Sequence, residues 1–156
     1  MNQHEAWMAF AYKEAEKAYE KNEIPVGAVI VFENRIVGRG HNQIEMLQDP
    51  TAHAEMIAIT SAVATVGSKW LTGATLYVTL EPCTMCAGAI VLSRLSTVVY
   101  GAQDLKTGAC SSLYNIVQDE RLNHRVELVT GIMETKCSEI LKDFFSKLRQ
   151  KNNRMN

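Results

Sequence analysis

Five short β-rich apolar runs, set apart by segments of helical pattern, constrain this chain most. GAVIVF (27–32) and RIVGRG (35–40) are separated only by Glu33-Asn34 and read as a hairpin. TLYVTL (75–80), TVVYGA (97–102) and RVELVTG (125–131) follow as single strands. Ahead of them, residues 5 to 20 carry Trp7, Met8, Ala11, Ala15 and Ala18 on one stripe at helical spacing. Asp49-Pro50-Thr51 offers a cap and a first-turn proline for a second helix reaching about Ala62. Pro82 opens a third helix, CAGAIVLSRL, and Cys137, Ile140, Leu141, Phe144, Phe145 and Leu148 mark a last one. A helix and a hairpin followed by alternating helices and strands predict an α/β fold: three layers, α/β/α, around a central five-stranded mixed sheet. Ligands in such folds gather beyond the carboxyl ends of strands, where helices begin.

With 156 residues, 47% hydrophobic and 21% charged, the chain has the length of one domain and too much apolar content for disorder. No apolar run approaches the roughly 20 residues of a membrane span. MNQHEAWMAFAYKEAEKAYEK carries acids and lysines throughout, unlike a secretion signal, so a cytoplasmic protein with reduced thiols is expected. The formal charge of −1 excludes a global basic field. It is unevenly spread. From Lys142 onward stand Lys142, Lys147, Arg149, Lys151 and Arg154 against Asp143 alone, which leaves the rest net acidic.

Chemistry concentrates at two strand-to-helix junctions. His53-Ala54-Glu55 opens the second helix, and Pro82-Cys83-Thr84-Met85-Cys86 opens the third. One imidazole and two thiols suit Zn²⁺, and three protein ligands leave a fourth position open, as in catalytic sites. Two helix N-termini would add positive potential and favour thiolates at Cys83 and Cys86. Glu55 lies near the metal without needing to bind it and is the candidate proton carrier. Taken alone, C-x-x-C also fits a redox pair or a structural site, and a lone His near a helix start fits a cap. A structural zinc wants a fourth ligand, and neither Cys110 nor Cys137 has a partner at metal-site spacing.

H-x-E followed by P-C-x-x-C is the signature of zinc nucleobase deaminases. PTAHAEMIAI, TLYVTLEPCTMCAGAI and VVYGAQDLKTGACSSL resemble the bacterial tRNA-specific adenosine deaminase family of the cytidine deaminase superfamily, and the likeness runs from IPVGAV near residue 24 to FF near 144. The resemblance implies a cytidine deaminase-like fold over residues 1–150, a single zinc-dependent deaminase domain; the polar residues 151–156 read by themselves as a frayed tail. It implies one Zn²⁺ per chain held by His53, Cys83 and Cys86, and Glu55 as the catalytic proton shuttle. The implied reaction is hydrolysis of adenosine to inosine at the wobble position of a tRNA anticodon loop, by a homodimer without membrane attachment. Asn42 would bind the target nucleotide, with Val26, Ala54, Leu80 and Pro82 shaping the base pocket. Asp104, Lys106, Ser111, Asn123, Phe144, Phe145 and Arg149 match positions near the RNA.

Some of these positions, and Lys147 beside them, also have a plainer reading. Asn42 could close a turn after the second strand. Phe144 and Phe145 lie in the apolar phase of a helix, which places at least one in the core. Lys147 and Arg149 could form a solvated face at a helix C-terminus. Leu105 and Cys110-Ser111-Ser112 depart from the small residue and the glycine common in the family, and both touch the substrate-strand loop. Two other functions fit less of the chain. A guanine or cytosine deaminase would need a closed pocket and no basic margin, and a non-catalytic scaffold would have no use for Glu55.

Overall fold

The computed structural model describes residues 2–155. The elements run α1 (Gln3–Glu20), β1 (Gly27–Phe32), β2 (Arg35–His41), α2 (Ile44–Leu47), α3 (Ala54–Val66), β3 (Thr75–Leu80), α4 (Thr84–Leu92), β4 (Thr97–Ala102), β5 (Glu127–Val129) and α5 (Glu134–Met155). The strands form one sheet in the order β2-β1-β3-β4-β5. β1 is antiparallel to β2 and β3, whereas β3, β4 and β5 run parallel. The sheet is therefore mixed, as expected.

Alternate side chains of a strand point to opposite faces, so both faces of this sheet need cover. Ile30, Leu76, Val78, Val98 and Tyr100 pack on one face with Ala58, Ala62, Ala87 and Ile90 of α3 and α4. Val29, Val31, Tyr77 and Val99 pack on the other with Met8 and Ala11 of α1 and Cys137 of α5. The expected stripe of the first helix is accordingly the buried one, with Met8, Ala11, Ala15 and Ala18 inside and Trp7 at its margin. α1 starts where Asn2 accepts the Glu5 backbone N–H at 2.8 Å. The β1–β2 turn uses Glu33 and Asn34 at φ 50° and 60°, the left-handed pair that a two-residue hairpin demands.

β2 and α3 meet backbone to backbone. A Cβ at Gly38 would stand 2.4 Å from the Ala58 carbonyl oxygen, and one at Gly40 would stand 2.3 Å from that of Ala54. Alanines on α3 and glycines on β2 permit this approach, which carries the start of α3 to the end of the sheet.

Three expectations are corrected, and one short helix goes unanticipated. Asp49-Pro50-Thr51 does not cap the second long helix. Asp49 Oδ1 instead takes the Thr51 N–H at 2.8 Å and the Thr51 hydroxyl at 2.7 Å, which closes a turn, and α3 begins at Ala54. The short helix α2 goes unsignalled in the sequence, because its first N–H groups are taken up by Glu23, remote in the chain. The Glu23 carboxylate accepts from Glu45 at 2.9 Å and Met46 at 2.8 Å. The last strand shrinks to Glu127–Val129, since it lies at the sheet edge and pairs only with β4 over three residues. Residues 151–155 are not frayed: α5 continues to Met155, with no Gly or Pro after Gly131 to stop it. Asn156 lies outside the described residues. Among the described residues no helix is long and apolar enough to cross a membrane.

Candidate metal centre and substrate cavity

His53 immediately precedes α3 and Cys83 immediately precedes α4, while Cys86 lies in the first turn of α4. Neither His53 nor Cys83 uses its side chain to cap its helix. Asn42 performs that task for α3, accepting the Ala54 N–H on Oδ1 at 2.8 Å and leaving the imidazole free to turn toward the thiols. His53 Nδ1 lies 3.6 Å from both Cys83 Sγ and Cys86 Sγ, and the three ligand atoms are within 4.8 Å of one another. Tetrahedral ligation with metal–sulfur and metal–nitrogen bonds of ordinary length separates N and S by roughly 3.6 Å. The donor set therefore fits a metal ion in both chemistry and spacing.

The electrostatics of the three groups are interdependent. The Cys86 thiol and His53 hydrogen-bond Cys83 and lower its pKa to about 4. The same contact with Cys83, together with burial, pushes the Cys86 thiol up. His53 is raised by its bond to Cys83. A divalent cation at this point would take the place of the shared protons. Glu55, in the first turn of α3, is buried, and burial pushes its carboxyl up to about 7. It stands outside the group of three ligand atoms that a metal ion could bridge.

His53, Glu55 and Cys83 line a cavity of about 690 Å³, with Cys86 fully buried beside them and off its surface. Val26, Asn42 and Ile44 form one side, and Leu80 with Gln103 to Thr107 forms another. Along α5, Ser138, Leu141, Lys142, Phe145 and Arg149 face it at helical spacing. Of the residues proposed from the sequence, Val26, Asn42, His53, Glu55, Leu80, Cys83, Asp104, Lys106, Phe145 and Arg149 all line this space. Asn42 has its Oδ1 committed to α3, whereas its Nδ2 makes no hydrogen bond among the described residues. The Oδ1 end thus caps α3 rather than closing a turn after the second strand, and the Nδ2 end is left as a donor. Asp104 uses its carboxylate within its own loop, accepting the N–H groups of Lys106 at 3.0 Å and Thr107 at 3.1 Å.

Other expected residues fall elsewhere. Ala54 and Pro82 are buried behind the walls, and the Pro82 carbonyl accepts the Ala109 N–H at 2.8 Å. Ser111 does not line the cavity: its hydroxyl meets that of Tyr100. Asn123 is exposed on the long connection between β4 and β5 and is likewise absent from the lining. Phe144 and Phe145 are not core residues. Successive residues on a helix point about 100° apart, so Phe145 faces the cavity while Phe144 is half-buried against Tyr19 of α1. Lys147 follows the plainer reading, paired with Asp143 and Tyr19 away from the cavity.

The sequence reading passed over Glu81, which is 2% exposed. Burial pushes its carboxyl up, but hydrogen bonds from Ser112, Asp104 and Ser111 outweigh that and hold it below the usual range. The available signal was its position, an acid directly between an apolar strand and Pro82-Cys83. Ile24, Ile44 and Leu141, which add apolar wall, gave no signal beyond ordinary hydrophobicity.

The description of the MafB19-like deaminases matches residues 2–149. The tRNA-specific adenosine deaminase of Bacillus subtilis (strain 168) is 52% identical over 151 residues, covering 97% of this chain and 94% of that protein. The tRNA-specific adenosine deaminase of Aquifex aeolicus (strain VF5) is 49% identical over 145 residues, covering 93% and 95%. A solved structure from studies of A-to-I editing by tRNA:A34 deaminases at the wobble position of transfer RNA superimposes with a TM-score of 0.84 at 43% identity, covering 87% of this chain and 99% of that one. Fold, His/Cys/Cys centre and near full-length identity agree: the chain belongs to the tRNA-specific adenosine deaminase family of MafB19-like deaminases.

Proposed function

We propose that the chain hydrolyses adenosine to inosine at the wobble position of a tRNA anticodon loop. One observation carries the reading: a single cavity is lined by His53 and Cys83 of the three-ligand group and by Glu55, with an aromatic ring and cations also on its lining. Phe145, 38% exposed, offers a face for stacking a splayed base, and Lys106, Lys142 and Arg149 offer charge to phosphate. A pocket for a free base has no use for those side chains.

His53, Cys83 and Cys86 would hold one Zn²⁺ per chain. Bound zinc supplies Lewis acidity that ionises water near neutral pH. Glu55 collects the proton released as water adds at C6 of adenine and delivers it to the ring nitrogen; it then passes the second proton, from the new C6 hydroxyl, to the amine, which departs as ammonia and leaves a carbonyl. Val26 and Leu80 give the base apolar walls, and Asn42 Nδ2 donates to the nucleotide. Lys106 and Arg149 meet the RNA backbone, while Ala54 and Pro82 act from behind the walls. Ser111, Asn123 and Phe144 would serve the RNA beyond the cavity. An unpaired loop suits such a site, because extruding a base from it costs little.

The working form is proposed to be a cytoplasmic homodimer. Leu92 at the end of α4 is 78% exposed, and Leu113 and Tyr114 in the loop after β4 are 52% and 57% exposed, apolar side chains that a second copy could cover.

Salt dependence tests the RNA reading. Turnover of an anticodon stem-loop at limiting concentration is expected to fall with salt, and Arg149→Ala should reduce the log–log slope by about 0.7, the value for one phosphate contact to a single strand. The variant should keep its zinc. Salt-independent turnover would contradict RNA as substrate, and an unchanged slope would remove Arg149 from the phosphate contacts.

A further inference from the structure

We propose that Glu81 is a positioning residue for RNA binding: its buried carboxylate holds the loop that forms one wall of the cavity. The inference rests on the RNA reading above for its consequence, but the clamp itself is independent of it.

Glu81 follows β3 and extends the strand pairing, its N–H donating to the Ala102 carbonyl at 2.8 Å. Its side chain then accepts five hydrogen bonds from one segment of chain. Oε1 takes the Asp104 N–H at 3.1 Å and the Ser112 hydroxyl. Oε2 takes the N–H groups of Cys110 at 3.2 Å, Ser111 at 2.9 Å and Ser112 at 2.9 Å. Both ends of the loop are thus tied to one carboxylate. Between them, the Asp104 side chain and the Gly108 N–H bond to the Asp104 carbonyl (2.9 Å) close a tight turn. Gly108 has to be glycine, since a Cβ there would fall 2.4 Å from Glu81 Cδ and 2.4 Å from the Asp104 carbonyl oxygen.

Among the described residues no Lys, Arg or His forms an ion pair with Glu81. A buried carboxylate without a counter-cation is costly unless donors surround it. Here every donor comes from the loop. The bonds therefore fix the loop to the sheet, and what they fix is functional surface: Asp104, Leu105, Lys106 and Thr107 all line the cavity. Glu81 also borders the cavity, but both its oxygens are taken up by loop donors, so it acts through these residues and needs no contact with the base.

The test is Glu81→Gln in the full chain loaded with zinc. An amide cannot satisfy both ends. If its oxygen serves the three N–H groups at Cys110 to Ser112, its –NH₂ faces the Asp104 N–H, which loses its acceptor, while the Ser112 hydroxyl can reorient. Hydrogen exchange at Asp104 should rise, and KM for an anticodon stem-loop should rise about tenfold, the effect of losing one charge-assisted hydrogen bond. The same variant should keep one zinc per chain and a kcat close to wild type, a split that a merely destabilised fold would not give. Should Glu81→Gln fail to accumulate folded, Ser112→Ala removes only the hydroxyl donor and is expected to raise KM about threefold at constant kcat. Unchanged exchange at Asp104 in a folded Gln variant would overturn the clamp. Raised exchange with unchanged KM, or a fall in kcat alone, would overturn its role in binding. Failure of the wild-type protein to act on any stem-loop would instead count against the RNA reading, with the exchange result still deciding the clamp.

Discussion

Glu55→Ala is expected to lower deamination by at least about 100-fold, the usual order for a lost general acid–base group, while one zinc per chain is retained. The expectation follows from position. Glu55 is buried in the first turn of α3, two residues from His53, yet lies outside the group of three ligand atoms. It can carry protons without completing the coordination sphere. Single-turnover inosine formation and elemental analysis on the same preparation check both halves. Glu55→Gln, of nearly the same shape, should be equally inactive and controls for the space that alanine leaves. Activity near wild type would remove Glu55 from the reaction, and loss of zinc would make it a ligand.

Cys86→Ala should weaken zinc binding by at least about 100-fold and abolish turnover, more than the 10–100-fold typical of losing a group that only supports a ligand. Cys86 is fully buried in the first turn of α4, with its Sγ 3.6 Å from His53 Nδ1. No other thiol is placed to substitute. Cys110 is also buried, and burial pushes its thiol up, so it stays protonated and stands outside the ligand group. Competition with a chelator of known affinity measures the effect, and binding at wild-type strength would refute the assignment. The melting temperature should fall too, because a ligand that binds only the folded chain stabilises it by mass action.

Much of this molecule was readable because its strands are short, apolar and bounded by turns. β1, β3 and β4 begin and end where GAVIVF, TLYVTL and TVVYGA do. The ligands were readable because each lies at the start of a helix, although α2 intervenes between β2 and His53, so that only the cysteines directly follow a strand. What escaped was bonding between segments distant in sequence, which leaves no periodicity. Glu23 reaching α2, Glu81 reaching residues 104 to 112 and Asn42 capping α3 are all of this kind. Asp49 misled for a related reason, since an acid before Pro-Thr serves a turn as readily as a helix. Phe144 and Phe145 share one apolar pattern, and only the direction of α5 over the cavity separates the ring at its wall from the ring packed on Tyr19.

The division of labour among these residues leads to a single product at a single position. The most direct measurement incubates the zinc-loaded protein with an anticodon stem-loop bearing adenosine at the wobble position, and in parallel with the same loop bearing guanosine there, with free guanine and with free cytosine. Nucleoside analysis after digestion, together with ammonia release, reads the outcome. The account predicts inosine and ammonia in equal amounts from the adenosine loop and nothing from the other three. Ammonia from free guanine or cytosine, with no inosine in the stem-loop, would contradict it.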